Sequence, residues 1–538
     1  DKSYRMGKLE NGLTYYIRHN SKEPNLADFY IAQRVGSILE EPRQRGLAHF
    51  LEHMAFNGTK NFQGKGSSLG VVPWCESIGV KFGTNLNAST SVEQTVYNVS
   101  AVPVKREGIV DSTLLILHDW SHFLLLNDDE IDKERGVIHE EWRTRRAGMA
   151  VQRMMERVLP IVYKGTKYED CLPIGSMDIV DNFPYKDLRD YYQKWYRPDL
   201  QAIIVVGDID VDKMEQKIRR TFADVPKPIN PAERVYYPVA DNDKMIVAID
   251  KDTEQPIMLV NLYMKQEATP DSEKNLVATA RKSYVTELVT SMINSRLADI
   301  KRQATPPFHS ASVGAGQFLI SKTKDAFSLS FGCLQENVKG SFQAAIAETQ
   351  RARQHGFTES ELQRAKAGFL KAAERRYTER NDRRNRYFVK AALQNFLASE
   401  PITTAEYDYR LMQQFDKEVT LTDVNKEVAE LVSNKNQVLT IYAPDKPNFP
   451  IADAQTFEKY VLDAQAKRYE PYKEESAGKE LIDKLPKKGK IKSEQNWGKF
   501  GVKKLVLSNG VEVYVKPTDY AKDQISMRFF GEGGTSLY

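Results

Sequence analysis

The sequence predicts an α+β fold built from two similar domains and the beginning of a third. Short strand-like segments alternate with amphipathic helical segments from residue 12 to residue 206. The same mixture recurs after a Pro-rich stretch. At 538 residues the chain is also too long for a single hydrophobic core, which favours two or three domains.

The first domain is predicted to span residues 1–235. Its strand candidates are rich in β-branched and aromatic residues, and its helix candidates repeat apolar residues every three or four positions. The expected strands are residues 12–18, 27–35, 93–102 and 201–206, and the expected helices are residues 45–56, 105–118, 129–147 and 186–196. The Pro-rich segment 226–238 (PKPINPAERVYYP) marks the domain boundary.

Residues 236–445 are predicted to form the second domain. The expected strands are residues 245–250, 257–264, 326–333 and 437–443, and the expected helices are residues 273–300, 337–354, 359–380 and 385–398. The following stretch is rich in Lys, Glu and Pro and buries little apolar surface. Residues 446–500 are therefore expected to form a linker that is partly helical at 452–468.

A third domain is expected to begin near residue 501. The string Leu507–Val511 (LSNGV) echoes Leu9–Leu13 (LENGL), and each Asn-Gly turn is followed 24 positions later by another Gly. Each interval contains an alternating segment that is expected to be a strand, residues 28–34 and residues 524–530. We interpret residues 501–538 as the first hairpin of a truncated third domain. The chain is thus expected to be a fragment that lacks its C-terminal half, with a hairpin edge open to self-association.

Composition argues against two classes of partner. Lys plus Arg exceeds Asp plus Glu only by 77 to 73, and no basic stripe with interleaved aromatic residues is present, so no nucleic-acid partner is expected. No run of about 18 apolar residues occurs, so no transmembrane segment is expected. The sequence starts at Asp1, which would fit the removal of a signal peptide or lipoprotein leader.

The residues suited to catalysis are concentrated in the segment 46–54 (GLAHFLEHM). His49 and His53 are four residues apart, so on a helix both imidazoles lie on one face and can reach a single Zn²⁺. Glu52 lies beside them, where its carboxylate can take a proton from water on the metal. The alternative is a pair of buried structural histidines beside a surface glutamate, which is disfavoured because unpartnered buried polar groups cost desolvation.

A catalytic zinc needs a third protein ligand, and the predicted helix at 130–145 (EIDKERGVIHEEWRTR) supplies the candidates. Glu134 and Glu141 are seven residues apart and therefore share one face of that helix. We assign Glu141 as the ligand, with Glu134 behind the metal to orient a histidine. Glu140 and His139 are competing ligands. Alternatively, these acids only pair with the bases of the same helix, Lys133, Arg135, Arg143 and Arg145.

A second histidine pair with the same spacing is formed by His118 and His122. Ser121 stands where the first pair has Glu52, so no carboxylate base is present at that position. We therefore predict a structural role for this pair.

Three strings resemble the pitrilysin/insulinase family of inverted-motif zinc peptidases. They are HFLEHMAFNGTKNF at 49–62, ERGVIHEEW at 134–142 and YYQKWYRPDLQAIIVVGDID at 191–210. The segment 86–97 (LNASTSVEQTVY) is similar to the edge strand with which the family binds substrate. The resemblance covers roughly residues 5–445 and is strongest to the long single-chain bacterial members, which carry four such domains in two halves.

The resemblance implies the architecture in more detail. Each domain would be an α/β sandwich of the metallopeptidase type, in which helices cover an antiparallel sheet. The second domain would be homologous to the first and non-catalytic. The C-terminal half of the same protein would close against this half like a clamshell around the substrate.

The resemblance also implies a role for each site residue. His49, His53 and Glu141 would bind one Zn²⁺ per chain, with Glu134 supporting a ligand. Glu52 would be the general base. An extended peptide would pair with the backbone of the edge strand at Asn87, Ala88 and Ser89.

Together these features predict a zinc-dependent metalloendopeptidase acting on unfolded peptides or small proteins through a zinc-bound water activated by Glu52. Its partners would be the peptide substrate and the C-terminal half of the same protein. A non-catalytic processing or scaffold subunit of the same fold is the alternative, and a zinc hydrolase of small molecules is a third hypothesis. A periplasmic or cell-envelope location in a bacterium is expected, and a cytoplasmic location stays open.

Overall fold

The structure is a computed structural model that describes residues 1–66, 68–474, 482, 484–520 and 524–537, including all their side chains except those of residues 107 and 536. The chain divides into two units, Asp1–Lys473 and Glu474–Tyr538. Residues 475–481 and 483 of the predicted linker, and residues 521–523 and 538 of the predicted hairpin, lie outside the described residues.

The first sheet of the larger unit has six strands. They are Tyr4–Lys8 (β1), Thr14–His19 (β2), Leu26–Gln33 (β3), Leu86–Thr90 (β4), Thr95–Pro103 (β5) and Gln201–Gly207 (β6). Their order is β1-β2-β6-β3-β5-β4, so β4 forms one edge. β2 and β6 are parallel, which is possible because a long helical crossover separates them in sequence. All other neighbours are antiparallel.

The second sheet repeats this topology. Its strands are Ile246–Asp252 (β7), Leu259–Glu267 (β8), Phe308–Gln317 (β9), Lys324–Cys333 (β10) and Gln437–Pro444 (β11). The order β7-β11-β8-β10-β9 corresponds to that of β2, β6, β3, β5 and β4. Again only the pair formed by β7 and β11 is parallel. The α+β fold class predicted from the sequence is confirmed, with two copies of one sheet topology.

Helices flank both sheets. The first eight are Leu47–Met54 (α1), Val71–Ser77 (α2), Glu107–His122 (α3), Asp128–Arg146 (α4), Ala150–Val162 (α5), Met177–Asn182 (α6), Tyr185–Trp195 (α7) and Val211–Thr221 (α8). The other seven are Val277–Lys301 (α9), Val338–His355 (α10), Glu359–Thr378 (α11), Asn385–Ala398 (α12), Ala405–Glu418 (α13), Leu421–Leu431 (α14) and Ala454–Gln465 (α15). None of these described helices combines the length and the apolar character that a bilayer span requires.

The two sheets are joined by an exchange of helices. α12 follows the second domain's strands in sequence, but it packs against β3 and β6, on the face of the first sheet opposite α3. Its buried residues Val389, Ala392 and Phe396 meet Tyr16 and Ile204 there. α5, which comes from the first domain, packs in turn against β7 and β11 of the second sheet. This reciprocal packing explains why both sheets belong to one compact unit.

Every helix and strand expected in residues 12–443 is present within a few residues of its predicted bounds. Several further elements carried too weak a local signal. β9 has the sequence FHSASVGAGQ, whose small residues have low strand propensity, and its strand conformation depends on pairing with β10. α15, by contrast, is the helix expected at 452–468 of the predicted linker, and its Phe457 and Val461 bury their side chains in the second core.

The smaller unit contains a three-stranded sheet, with Ile491–Trp497 (β12), Val502–Leu507 (β13) and Glu512–Val515 (β14) in sequence order. The turn between β13 and β14 has the hydrogen bonding of the turn between β1 and β2. The N–H of Leu507 donates to the Val511 carbonyl at 2.9 Å, and the N–H of Leu9 donates to the Leu13 carbonyl at 2.8 Å. Both turn glycines have positive φ, +102° and +87°. The sequence echo therefore corresponds to one turn geometry.

Residues 524–530, which were expected to form a strand, form no strand in the structure, so that prediction is wrong. The corresponding strand of the first domain, β3, is held between β5 and β6. No described strand pairs with residues 524–530. An extended segment without hydrogen-bonding neighbours gains too little to hold its conformation.

The helix exchange predicts a large stability effect at Phe396, which is 3% exposed in the contact between α12 and the first sheet. Phe396→Ala should lower the free energy of unfolding by about 3–5 kcal/mol, because it removes apolar contact and leaves a cavity. A urea titration followed by circular dichroism measures this change. Tyr387→Ala is the matched control on the same helix, since Tyr387 is 46% exposed. Equal losses in the two variants would contradict the packing described above.

Candidate metal centre

The N-terminal end of α1 is held by a buried carboxylate. Glu40 accepts hydrogen bonds from the N–H of Gly46 at 3.1 Å and from the N–H of Ala48 at 2.7 Å. The first N–H groups of a helix have no partner within the helix, so this carboxylate satisfies donors that would otherwise be buried and unpaired. Burial raises the pKa of Glu40 to about 8 in spite of these bonds. Glu40 thereby fixes the start of the helix that carries both candidate histidines.

His49 and His53 lie one turn apart on α1, as their spacing predicts. Their ring centroids are 4.8 Å apart and the rings are nearly perpendicular, at 80°. The side chain of His49 is almost fully buried, whereas that of His53 is 22% exposed. Both imidazoles therefore reach the same small volume from one helix face.

Glu141 approaches this volume from α4. Its Oε2 lies 3.6 Å from Nε2 of His49 and 3.1 Å from Nε2 of His53. Potential ligand atoms of all three residues lie within 4.8 Å of one another, and no other such group of His, Cys, Asp and Glu occurs among the described residues. The other oxygen, Oε1, pairs with Arg145 one turn along α4. Glu141 thus presents one oxygen to the histidines and the other to a base of its own helix.

The competing ligands point elsewhere. Glu140 accepts a hydrogen bond from Nε of Arg143 at 3.0 Å on the exposed side of α4. Nδ1 of His139 lies 3.2 Å from both carboxylate oxygens of Asp181. Neighbouring positions on a helix face different directions, so only one of these three side chains can face α1. The packing of α4 against α1 places Glu141, and neither of these two residues, beside the histidine pair.

Glu134 contacts the far side of His53. Its Oε1 lies 2.7 Å from Nδ1 of His53, and its Oε2 accepts a hydrogen bond from the side-chain amide of Asn57. A carboxylate at Nδ1 fixes the tautomer that leaves Nε2 free to act as a ligand. Asn57 was not predicted as a site residue, although its spacing of four residues from His53 could have indicated it.

Glu52 lies half-buried beside the histidine pair, and desolvation raises the pKa of its carboxyl group. Hydrogen bonding to the Thr90 side chain acts in the opposite direction. The second oxygen, Oε2, is buried and has no hydrogen-bond partner. Thr90 belongs to β4 and was not predicted as a site residue, because only the tertiary fold brings the edge strand to α1.

The ionisable groups at the site shift one another's pKa values. Burial first, and then the neighbouring His53, lower the pKa of His49 to about 4, so this imidazole is neutral at pH 7. Burial also acts to lower the pKa of His53, but Glu134 and Glu141 outweigh it and raise that pKa to about 9. The contact with His53, opposed by burial, holds the pKa of Glu141 at about 2.

The donor atoms fit a divalent metal ion. Oε2 of Glu141 is buried without a hydrogen bond of good geometry, although it lies close to Nε2 of His49 and Nε2 of His53. A buried oxygen that faces two nitrogens without a bonding geometry is the arrangement expected of ligands that share a cation. Two imidazole nitrogens and one carboxylate oxygen form a donor set typical of catalytic zinc sites. The residues of α1 and α4 could therefore hold a zinc ion.

The free edge of β4 begins at Ala88. The backbone N–H and carbonyl of Leu86 point away from β5 but are already hydrogen-bonded to the preceding loop. The N–H donates to the Lys81 carbonyl at 3.1 Å, and the carbonyl accepts from the N–H of Gly83 at 2.9 Å. The N–H of Ala88 donates to Oδ1 of Asn87 at 2.9 Å instead of to β5. Backbone groups alternate in direction along a strand, so those of Ala88 and Thr90 point outward. An extended peptide could pair with this edge next to Glu52.

The second histidine pair is engaged in local contacts. Nδ1 and Nε2 of His118 lie 3.0 Å from Asp119 and 2.7 Å from Asp224. Nδ1 of His122 lies 2.9 Å from the Tyr196 carbonyl. Neither residue belongs to the group of potential metal ligands, in agreement with a structural role.

Family models match two long parts of the chain. Residues 20–172 match the family described as Insulinase (Peptidase family M16). Residues 182–369 match the family described as Peptidase M16 inactive domain. Together the two matches cover more than half of the chain. The first lies within the first sheet-bearing domain, and the second runs from the end of that domain through most of the second sheet.

Known proteins of the same architecture are similar to the chain as well. A "Zinc protease PQQL-like" protein of Arabidopsis thaliana is 28% identical over 531 residues, which are 98% of this chain and 51% of that protein. The crystal structure of the periplasmic protease PqqL from Escherichia coli superposes with a TM-score of 0.78 at 24% identity, over 97% of this chain and 56% of that one. The crystal structure of the first half of that protease gives a TM-score of 0.76 at 25% identity, over 88% of this chain and 98% of that one. The chain spans about half the length of the curated relative.

Glu141 faces the two histidines and Glu140 does not, so the two residues are expected to differ as metal ligands. Glu141→Ala should weaken zinc binding by more than the roughly 10–100-fold that the loss of a partner behind a ligand typically costs. Competition with a chromophoric chelator measures the affinity. Glu140→Ala is the matched control, because Glu140 is the adjacent residue and pairs with Arg143 at the surface. A greater loss of affinity in Glu140→Ala would contradict the assignment.

Proposed function

The chain belongs to the insulinase family, peptidase family M16, and on that premise we propose that it is the metal-bearing part of a zinc metalloendopeptidase. The observation that carries the proposal is the convergence of His49, His53 and Glu141 beside Glu52. The name of the Arabidopsis relative, a zinc protease, supports it.

One zinc ion per chain would be held by His49, His53 and Glu141. When bound, zinc supplies the Lewis acidity that polarises a peptide carbonyl and lowers the pKa of water. A protonated imidazole cannot bind a metal, so His49 is ready to bind at pH 7, whereas His53, whose pKa the two carboxylates raise to about 9, would release a proton when zinc binds. Glu134, which accepts a hydrogen bond from Asn57, contacts Nδ1 of His53 and leaves Nε2 directed toward Glu141, where these residues would hold the ion.

Glu52 would transfer the proton. Its carboxylate takes a proton from the attacking water and delivers it to the leaving amine. Burial raises the pKa of Glu52, which makes the carboxylate a better base than an exposed one. Thr90 limits this shift and fixes the orientation of the carboxylate, so the same edge strand would position both base and substrate.

The substrate backbone would pair with the free edge of β4. The backbone N–H and carbonyl groups that point outward there are those of Ala88 and Thr90. The Ala88 N–H donates a hydrogen bond to the side chain of Asn87, which a substrate would replace. Pairing through the backbone makes few demands on side chains, which suits peptides or unfolded segments of varied sequence. Asn87, Ala88 and Ser89 are accordingly proposed as substrate-binding residues, with Ala88 as the backbone donor.

The rest of the proposal concerns the whole protein. The second domain is proposed to be non-catalytic, in accordance with the description of its family model as an inactive domain. A second half of the same protein would complete the cleft, since the relatives are about twice as long as this chain. A periplasmic or cell-envelope location is proposed because the Escherichia coli relative is a periplasmic protease.

The role of Glu52 leads to a direct test in the complete protein. Glu52→Gln should lower kcat by about 10²–10⁴-fold or more, because it removes the general base and acid but none of the metal ligands. Cleavage of a quenched peptide library measures activity, and elemental analysis measures bound zinc. Glu76→Gln, an exposed change on α2, should leave both unchanged.

Two outcomes would contradict this function. Wild-type cleavage rates in Glu52→Gln would exclude Glu52 as the base. Stoichiometric zinc without cleavage of any peptide by the wild-type protein would instead favour a non-catalytic processing or scaffold subunit.

The edge strand leads to a second test. Ala88→Pro removes the outward N–H, so KM for peptides should rise about 2–10-fold, the equivalent of one hydrogen bond. Proline is tolerated on an edge strand, so the fold should persist. Ala88→Ser is the control, because it keeps the outward N–H at the same position and should leave KM unchanged. Equal KM values for both variants would exclude pairing at Ala88.

A further inference from the structure

A groove of about 530 Å³ lies between α12 and the β4 edge of the first sheet. α12 packs closely on β3 and β6 at the centre of the sheet. Over β4 and β5 it stands away from the sheet, and the groove opens there. The groove therefore exists because a helix from the second domain covers only part of the first sheet.

The floor of the groove is the face of the sheet that points away from Glu52. Residues alternate between faces along β4 and β5. Leu86 and Tyr97 are buried in the core on the α1 side. Asn87 and Ser89, which alternate with them, line the groove together with Val96. The groove thus adjoins the edge to which a peptide would be added, on the side opposite the metal site.

A peptide paired with β4 would present its side chains to both faces. Every second side chain points toward α1 and the reactive centre, and the intervening ones point toward α12. The intervening side chains would enter the groove beside Ser89. The groove is consequently placed to select particular substrate residues while backbone pairing holds the chain.

The charge of the groove indicates which side chains it would select. Arg386 and Lys390 are one turn apart on α12 and both line it. None of the described residues that line the groove is Asp or Glu. The neutral polar side chains present, such as Gln94 and Gln394, can hydrogen-bond to a carboxylate but cannot neutralise the two cations.

We propose that the groove between β4 and α12 is a substrate subsite that binds the carboxylate side chain of an Asp or Glu in the peptide, with Lys390 as the principal cation. This proposal rests on the proposed peptidase function. Lys390 is chosen over Arg386 because Arg386 already interacts with the buried carboxyl group of Asp28. A side chain is chosen over a terminal carboxylate because the groove flanks the strand along Asn87–Ser89.

The test uses the complete protein and peptides whose termini are acetylated and amidated, so that only side-chain carboxylates are present. The two peptides of each pair are identical except at one position, which is Glu in one peptide and Gln in the other. Successive pairs place this position at each residue of the peptide in turn. The wild-type protein should favour Glu at a position whose side chain faces the groove by about three- to fivefold in KM, the range expected for a partly exposed ion pair.

Variants of Lys390 identify the source of the preference. Lys390→Gln should abolish it by raising KM for the Glu peptide, and Lys390→Glu should reverse it in favour of a Lys peptide. Lys390→Arg should retain the preference. Lys371→Gln, an exposed change on α11 outside the groove, is the matched control and should leave the preference at the wild-type value.

The possible failures are separable. Cleavage by the wild-type protein without any preference for Glu, or a preference that survives in Lys390→Gln, would overturn the subsite and leave the peptidase function intact. Absence of cleavage would overturn the peptidase function. In that case the dissociation constants of the same peptides with the Glu52→Gln variant decide the subsite, because binding through β4 needs no turnover.

Discussion

The contact between α1 and α4 is the constraint on which the functional region depends. It gathers a buried imidazole, a half-buried imidazole and a half-buried carboxylate at one point, and such groups are costly to desolvate unless they share a partner. Oε2 of Glu141 faces both histidines, while Oε1 is balanced by Arg145. A shared cation would resolve the remaining mismatch. The pKa values are low for His49 and Glu141 and high for His53, because these ionisable groups lie close together in a partly desolvated site.

The surrounding structure holds that contact in place. Glu40 pairs with the first N–H groups of α1, and Glu134 with Asn57 sets the orientation of His53. The exchange of α5 and α12 between the two sheets makes the domain scaffold one unit. This exchange also creates the groove beside β4, because α12 covers only the centre of the first sheet. One packing arrangement therefore supports the site and shapes the surface next to it.

The edge strand connects these regions. Along β4, one face carries Thr90 toward Glu52, the other carries Ser89 toward α12, and the backbone at Ala88 lies on the free edge. Backbone pairing would orient a peptide held there, and its side chains would contact the protein on both faces of the sheet. In the proposed enzyme, chemistry and selectivity would thus reside on opposite faces of one sheet.

The sequence by itself determined the elements and the local part of the site. Helical periodicity is a local property, so the spacing of His49, Glu52 and His53 was sufficient to place them on one helix face. The strands around residues 27–35 and 201–206 could likewise be predicted from their composition. Only the tertiary structure turned Glu141, and not Glu140 or His139, toward the histidines, brought Thr90 to Glu52, and placed Lys390 beside β4. These relations join segments far apart in sequence, and they depend on which faces pack together, which no local pattern encodes.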